Sequence, residues 1–431
     1  MWNIARHLLL LVCLLFAVSC HETKPGHYLV LIKDNHHTTL HDHMAWANMI
    51  NQDSGSGHFG VQEYYDCAIG KGYFAHISGK TATEIGKRDE VLHIVPQSTW
   101  SLATAPSNEE IIVDKKIDPK NWALHAISSN PPENKGPYKY HKSQATGTYI
   151  YIVDSGIQSD DEEFQGRVIS GWGYSARDDL YEGVVGGELR HGTFVAGIAG
   201  GVRHGVAKNA TLVDVQVGRD HPGSSQLWGG SIAKGLCWTA DDIMLHNRAN
   251  KSVVNISLAP GRLHCRAALK WLERLEERGV TVVVAAGNDG VDVKSSCFGS
   301  NLHAIQVGAY DRDFNAANFS NHGTGITVWA PGVEVRSVLS KAVLDREGRK
   351  PWPDDTKKGT SYAAPHVAGI IAGWMGETEE GLSPKQVREK LDELSHKDVL
   401  GTDDFEKCQV PKDEWEHRLA NNRIVYNGAD V

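Results

Sequence analysis

The chain has 431 residues, 41% of them hydrophobic and 23% charged, with 44 glycines and a formal net charge of −9. That length admits two domains or one large domain with accessories, and the composition is that of a globular protein rich in tight turns. The acidic balance argues against a nucleic-acid partner, which would call for a basic face. Beyond the N-terminus no stretch reaches the roughly 18 apolar residues that a membrane span needs, so no membrane partner is expected.

Residues 1–19 have the form of a secretory signal. Arg6 precedes an apolar run over 8–18, and Ala17, Val18 and Ser19 are small enough for cleavage before Cys20. Lipidation at Cys20 is the weaker reading, because Ala17 stands where a leucine would be wanted. Residues 26–97 follow as a small α+β unit. Strands are predicted over 28–32, 67–70, 73–77 and 91–95, helices over 38–50 and 83–88, and a Gly-rich turn over 55–60. A linker over 98–119, rich in Ser, Asn, Glu, Lys and Pro, has little to bury and marks the domain boundary.

From 120 to 431, β-branched runs alternate with helical patterns. Residues 149–154, 211–217, 252–258 and 281–287 read as buried strands, and 231–247 and 264–278 as helices, the second stopped by Gly279. Near-continuous apolar strands alternating with helices imply a mostly parallel sheet covered on both faces. In such sheets the functional crevice lies outside the carboxyl ends of the strands. Asp154 ends one of these strands and Asn288 follows another.

Four residues carry chemistry. Ser361, in Gly359-Thr360-Ser361-Tyr362-Ala363, opens an apolar helix containing Pro365, where a hydroxyl feels the positive end of the helix dipole. His191, after Arg190 and before Gly192, begins a helix whose small residues at 192, 196 and 197 permit a close approach. A neutral imidazole is the usual base for a serine nucleophile. Asp154, before Ser155 and Gly156, could orient that imidazole, and Asn288 supplies the side-chain N–H that an oxyanion needs. Singly, each has a bland reading as a cap or a strand end; the combination in this order does not.

The order Asp154, His191, Asn288, Ser361, each in its own motif, resembles the subtilisin-like serine proteases, and within them the proteinase K branch. The resemblance implies a subtilisin-like three-layer domain with a buried central helix, and an endopeptidase acting on protein or peptide substrates. Its catalytic residues would be Asp154, His191 and Ser361, with the Asn288 side chain and the Ser361 N–H as the oxyanion hole. Residues 26–97 look like an inhibitor-type propeptide, an intramolecular inhibitor and folding aid cut away at a site in the linker. Substrate would lie extended beside Ser257, Leu258 and Ala259, with Pro260, Gly261, Ala285, Ala286 and Gly287 completing the pocket walls. The implied product is secreted, extracellular and monomeric.

Several positions depart from that pattern. Ala259 and Pro260 replace glycines common in relatives, Cys297 and Phe298 replace a different turn, and Phe194 stands where many relatives have a second histidine. No cofactor is implied. Structural calcium is compatible with the resemblance, but Thr327 stands where calcium-binding relatives carry an aspartate, and no metal is assigned. Cys13 leaves with the signal, Cys20 borders the cut, and Cys67 stands alone. Cys237, Cys265, Cys297 and Cys408 could form two disulfides in three connectivities. Nearness to the pocket walls in the resembled fold suggests Cys265 with Cys297. Asn209, Asn250 and Asn318 begin glycosylation sequons, and Asn255 begins another inside a buried strand. His37 and His41 are spaced to share a metal, although a solvated helix face explains them better. The histidines of residues 21–105 raise the idea that acid loosens the propeptide. The readings from other classes are a catalytically silent fold acting as a binding or decoy protein, and a dinucleotide-binding enzyme. The second fails for want of a Gly-x-Gly-x-x-Gly after a strand.

Overall fold

The apolar runs become the middle of a nine-stranded sheet in the computed structural model. It describes residues 26–34, 36–53, 60–96, 99–102, 121–130, 132–134, 138–140, 145–173, 190–221, 224–259, 265–298, 302–348, 355–407 and 410–428. The signal segment 1–19 and residues 55–59 of the Gly-rich turn therefore lie outside the described residues. The chain divides into two units, Met1–Asp66 with Gly70–Gln97, and Cys67–Ile69 with Ser98–Val431.

The small unit contains β1 (Gly26–Ile32), α1 (Leu40–Asp53), β2 (Gly60–Cys67), β3 (Gly70–Ile77), α2 (Gly79–Gly86) and β4 (Val91–Pro96). Its sheet runs β2-β3-β1-β4, with β1 antiparallel to both neighbours. Val30, Ile32, Leu40, Met44, Tyr73, Ile77 and Ile85 fill its core. Helix α2 starts where the Ser78 hydroxyl accepts the Thr81 N–H at 3.0 Å. The strand expected over 67–70 is instead the turn of the β2–β3 hairpin, and the strand itself runs before it. β2 is an edge strand, so its Gln62, Glu63 and Asp66 diluted the apolar alternation that would have revealed it.

The large unit is built on the order β18-β19-β15-β14-β13-β11-β6-β8-β7. In chain order these are β6 (Tyr149–Asp154), β7 (Val168–Gly173), β8 (Thr211–Gln216), β11 (Ser252–Ile256), β13 (Thr281–Ala285), β14 (Ile305–Tyr310), β15 (Val328–Pro331), β18 (His396–Lys397) and β19 (Arg423–Ile424). All neighbouring pairs from β7 to β19 are parallel; only β18 runs the other way. β11 and β13 are buried at every position, as expected of strands with both faces covered. After α3 (Trp122–Ala126), the longer helices are α4 (Arg190–Gly200), α5 (Gly229–Leu245), α6 (Cys265–Glu277), α7 (Lys341–Glu347), α8 (Thr360–Gly376) and α9 (Pro384–Leu394). Gly279, at φ +78°, ends α6 as expected. Helix α8 is buried from Thr360 to Met375 and packs on α4, where a Cβ on Gly369 would fall 2.8 Å from the Ala199 carbonyl.

Two features correct the sequence reading. The linker reads without a strand, yet β5 (Thr99–Leu102) lies antiparallel between β12 (Leu258–Ala259) and β10 (Ser224–Trp228), with β9 (Gly218–His221) beyond. Main-chain pairing with existing edges holds it, which an apolar count does not register. Cys67 does not stand alone: it is disulfide-bonded to Cys237. Cys297 is also in a disulfide; the side chain of its suggested partner, Cys265, lies outside the described ones.

Candidate active site

Two strand ends and two helix starts converge at the carboxyl edge of the sheet. Asp154 is the last residue of β6 and is fully buried. Its Oδ1 accepts the Ser155 N–H at 2.7 Å, and its two oxygens lie 2.8 and 3.0 Å from His191 Nδ1. A carboxylate only accepts, so Nδ1 carries the proton and Nε2 is left as the basic nitrogen. His191 comes this close because α4 begins against the turn after β6. A Cβ on Gly192 would fall 2.4 Å from the Gly156 carbonyl, and the Gly192 N–H donates to Ser155 Oγ at 3.0 Å. Farther along, the small residue at 197 lets α4 meet Ser337, where a Cβ would sit 2.3 Å from Oγ.

Ser361 is the second residue of α8, entered through Gly359 at φ 150°, ψ 154°, a conformation that essentially only glycine adopts. Its Oγ donates to the Ser257 carbonyl at 3.1 Å, and its own carbonyl accepts the Ser257 hydroxyl at 2.8 Å. The second contact has a cause in the sequence. Pro365 lacks the N–H that would have reached the Ser361 carbonyl four residues back, and Ser257 supplies the missing donor. Pro365 therefore lies deeper than the first turn, where its cost would have been least. The next ring, Tyr362, lies 5.5 Å from that of His191 and 5.0 Å from that of Phe194.

Asn288 follows the end of β13. Its Oδ1 accepts the Thr360 N–H at 2.8 Å and the Thr360 hydroxyl at 3.1 Å, which fixes the amide beside the start of α8. Its Nδ2 is buried and has no hydrogen-bond partner among the described residues. A buried amide N–H without an acceptor costs about 1–3 kcal/mol, a penalty that an arriving negative oxygen would remove. Gly287, at φ +107°, makes the turn that presents it; a Cβ there would fall 2.3 Å from Asn321 Nδ2.

Asp214 is a neighbour that the sequence reading missed. It lies on β8 opposite Ile152 of β6. Burial, helped by the Asp154 charge and opposed by a backbone hydrogen bond from Ile157, pushes its carboxyl up to about 7. The signal was there: an acid between Val213 and Val215 in an otherwise apolar strand.

The pocket-wall expectations divide. Ser257, Leu258, Ala285 and Ala286 are buried next to this site. Pro260 and Gly261 lie outside the described residues, as does the Ala259 side chain. Among the described residues no group of three or more His, Cys, Asp or Glu could hold a metal ion. The calcium implied by the resemblance does not fit at Thr327. Its hydroxyl takes the Gln306 N–H at 3.1 Å, and its carbonyl takes Nε of Arg423 at 2.7 Å, so a guanidinium cation occupies the vicinity.

The sequence profile described as the subtilase family matches residues 145–404, and that of peptidase inhibitor I9 matches 27–103. The chain belongs to the subtilase family. It is 30% identical to alkaline protease 1 of Aspergillus clavatus over 448 aligned positions, covering all of both chains. It is 32% identical to subtilisin-like protease 3 of Pseudogymnoascus destructans, covering 86% of each. Among solved structures it is similar to a cold adapted subtilisin-like serine proteinase, with a TM-score of 0.56, 27% identity, and coverage of 72% of this chain and 99% of that one. Fervidolysin from Fervidobacterium pennivorans, at 20% identity and a TM-score of 0.63 over 96% of this chain and 61% of that one, shares the fold. This subtilase is thus a serine peptidase carrying an inhibitor-type N-terminal domain. The expected subtilisin-like sheet with its buried central helix is borne out.

Proposed function

We propose that this subtilase is a secreted, self-processed endopeptidase in which Ser361 attacks the peptide carbonyl. His191 takes the serine proton at Nε2 and passes it to the leaving amine, while Asp154 holds the Nδ1–H. Asn288 Nδ2 and the Ser361 N–H receive the oxyanion, and water then releases the acyl group from Ser361. The observation that carries this reading is the Asn288 amide. Its oxygen is pinned to Thr360 beside the nucleophile, and its buried N–H has no acceptor among the described residues. Nothing comparable would be wanted in a silent fold.

Self-processing is supported by β5. The inhibitor match ends at 103, and Thr99–Leu102 lies along β12 with Ser101 opposite Ala259 and Leu102 opposite Leu258. A cut just after the inhibitor match, at Ala103–Thr104, falls within the 98–119 linker. Secretion follows from the signal-like residues 1–19, and no described helix is long and apolar enough to cross a membrane. Asn209 and Asn250 are exposed and suit glycosylation, whereas Asn255 is fully buried and does not.

The test is Ser361→Ala. Losing one hydroxyl should leave folding and export intact. Intact-mass analysis of the secreted proteins, with host proteases inhibited, should show the variant uncut and the wild type starting at Thr104 or trimmed from there toward 119. Trimming of the variant at the wild-type site and rate would refute self-processing. If neither protein is trimmed and neither hydrolyses casein, the silent-fold reading takes over.

A further inference from the structure

The hairpin turn between β2 and β3 belongs, by its contacts, to the large unit: Cys67–Ile69 group with Ser98–Val431. Cys67 is disulfide-bonded to Cys237 in the middle of α5, with 170 residues between them along the chain. One helical turn on, Asp241 Oδ1 accepts the Ala68 N–H at 3.0 Å, so the turn is held by a second, independent contact to the same helix. Cys67 falls inside the inhibitor match and Cys237 inside the subtilase match. The bond that the linker cut would break lies between them in sequence.

We infer that the cut alone does not free the inhibitor domain, and that the processed enzyme is a two-chain molecule joined through Cys67–Cys237. This rests on the self-processing proposed above. A tethered inhibitor acts at an effective concentration that reaches millimolar for short tethers, so dilution does not remove it. Release needs two thiol equivalents. One thiolate attacks a sulfur of the bridge and forms a mixed disulfide; a second displaces it. Cys67 and Cys237 end as thiols, and the reductant gives up two electrons and leaves as its own disulfide. Cys237 is 5% exposed, so a reducing thiol has restricted access to it in the folded protein.

The test is carried out on the full chain. Secreted wild type is denatured in iodoacetamide without reductant and its intact mass is measured with and without a phosphine reductant. The expected result is one species containing both chains, which loses the whole mass of the N-terminal chain on reduction. In Cys67→Ser, and separately in Cys237→Ser, that mass should be lost without reductant. A parallel sample keeps the outcome independent of self-processing. Ser361→Ala with an exogenous protease site placed within 104–119 is cut by that protease and read in the same way. Separation of the two chains by denaturant alone, or alkylation of Cys67 in the unreduced protein, overturns the tether in either sample. A wild type that stays a single chain after reduction counts against self-processing only, and the parallel sample still decides the tether.

Discussion

Asn288 divides one side chain in two: its oxygen is bound to Thr360, and its nitrogen, without a partner among the described residues, is the proposed donor to the oxyanion. Asn288→Ala should lower kcat by about 10²–10³ with KM little changed, the loss of about 2.7–4 kcal/mol found for such a donor in subtilisin, a relative. Because alanine also frees Thr360, Asn288→Asp is the sharper variant. It keeps the acceptor for Thr360 and lacks the donor, so it should lose as much in kcat. Steady-state kinetics on a peptide substrate read both, and a defect confined to KM would mean that Asn288 shapes ground-state binding instead. Asn288 was legible because its motif sits at a strand end. Asp214 was not, because nothing in the sequence says which face of β8 meets Asp154.

Helix α8 is strong in burial and weak in its own hydrogen bonding. Pro365 removes one donor from its interior, and the Ser257 hydroxyl, from the segment joining β11 to β12, fills the gap at the Ser361 carbonyl. Ser257→Ala should therefore destabilise the protein by about 1–3 kcal/mol. In a Pro365→Ala background, where an amide N–H is restored, the same change should cost about 1 kcal/mol less. Thermal or denaturant unfolding of the four proteins, made in a Ser361→Ala chain to prevent autolysis, gives the cycle. Equal costs in both backgrounds would mean that Ser257 acts only through its bond from Asn255 Nδ2, 3.0 Å away. The buried strands and helices were legible because their apolar periods are set by local burial. β5 and the β12 pairing were not, since they depend on main-chain edges brought together from residues 99–102 and 258–259. The Cys67–Cys237 link was hidden for the same reason.

For the whole molecule, acid should loosen the small unit through His43. His43 is fully buried on α1, with Nδ1 2.9 Å from Glu90 Oε1 and Nε2 3.0 Å from the Tyr73 hydroxyl. Trp46 packs on it, and Arg88 lies over Trp46 while donating to Glu90 at 2.8 Å. Burial holds His43 below its ordinary value despite the Glu90 charge. Burial would raise Glu90, but the hydrogen bonds from His43, its own backbone and Arg88 bring it to about 2. A histidine lowered on folding gives stability that is complete above its unfolded value of about 6.5 and is lost as pH falls below it. The Glu90 contribution survives until pH falls below about 4.5. In the full-length Ser361→Ala protein, exchange protection of the β1 amides should drop between pH 7.5 and 5. In His43→Gln it should start lower and stay flat over that interval. Parallel slopes in the two proteins would remove His43 from the explanation.

The strand order of the central sheet also sets how fast the chain reaches it. β6 pairs with β11, so Ile150 meets Val253 only after a loop of about a hundred residues has closed, and Trp329 meets Ile424 across a comparable span. Closure entropy must be met before such pairings return any energy, and parallel sheets with distant partners are correspondingly slow to nucleate. The small unit closes smaller loops: β1 pairs with β3 across 39–51 residues and with β4 across 59–68. A sheet assembled across such spans carries a high kinetic barrier. Once that barrier has been crossed, the same topology that made assembly slow makes escape slow. The persistence of the mature enzyme would then be a matter of unfolding rate more than of equilibrium stability.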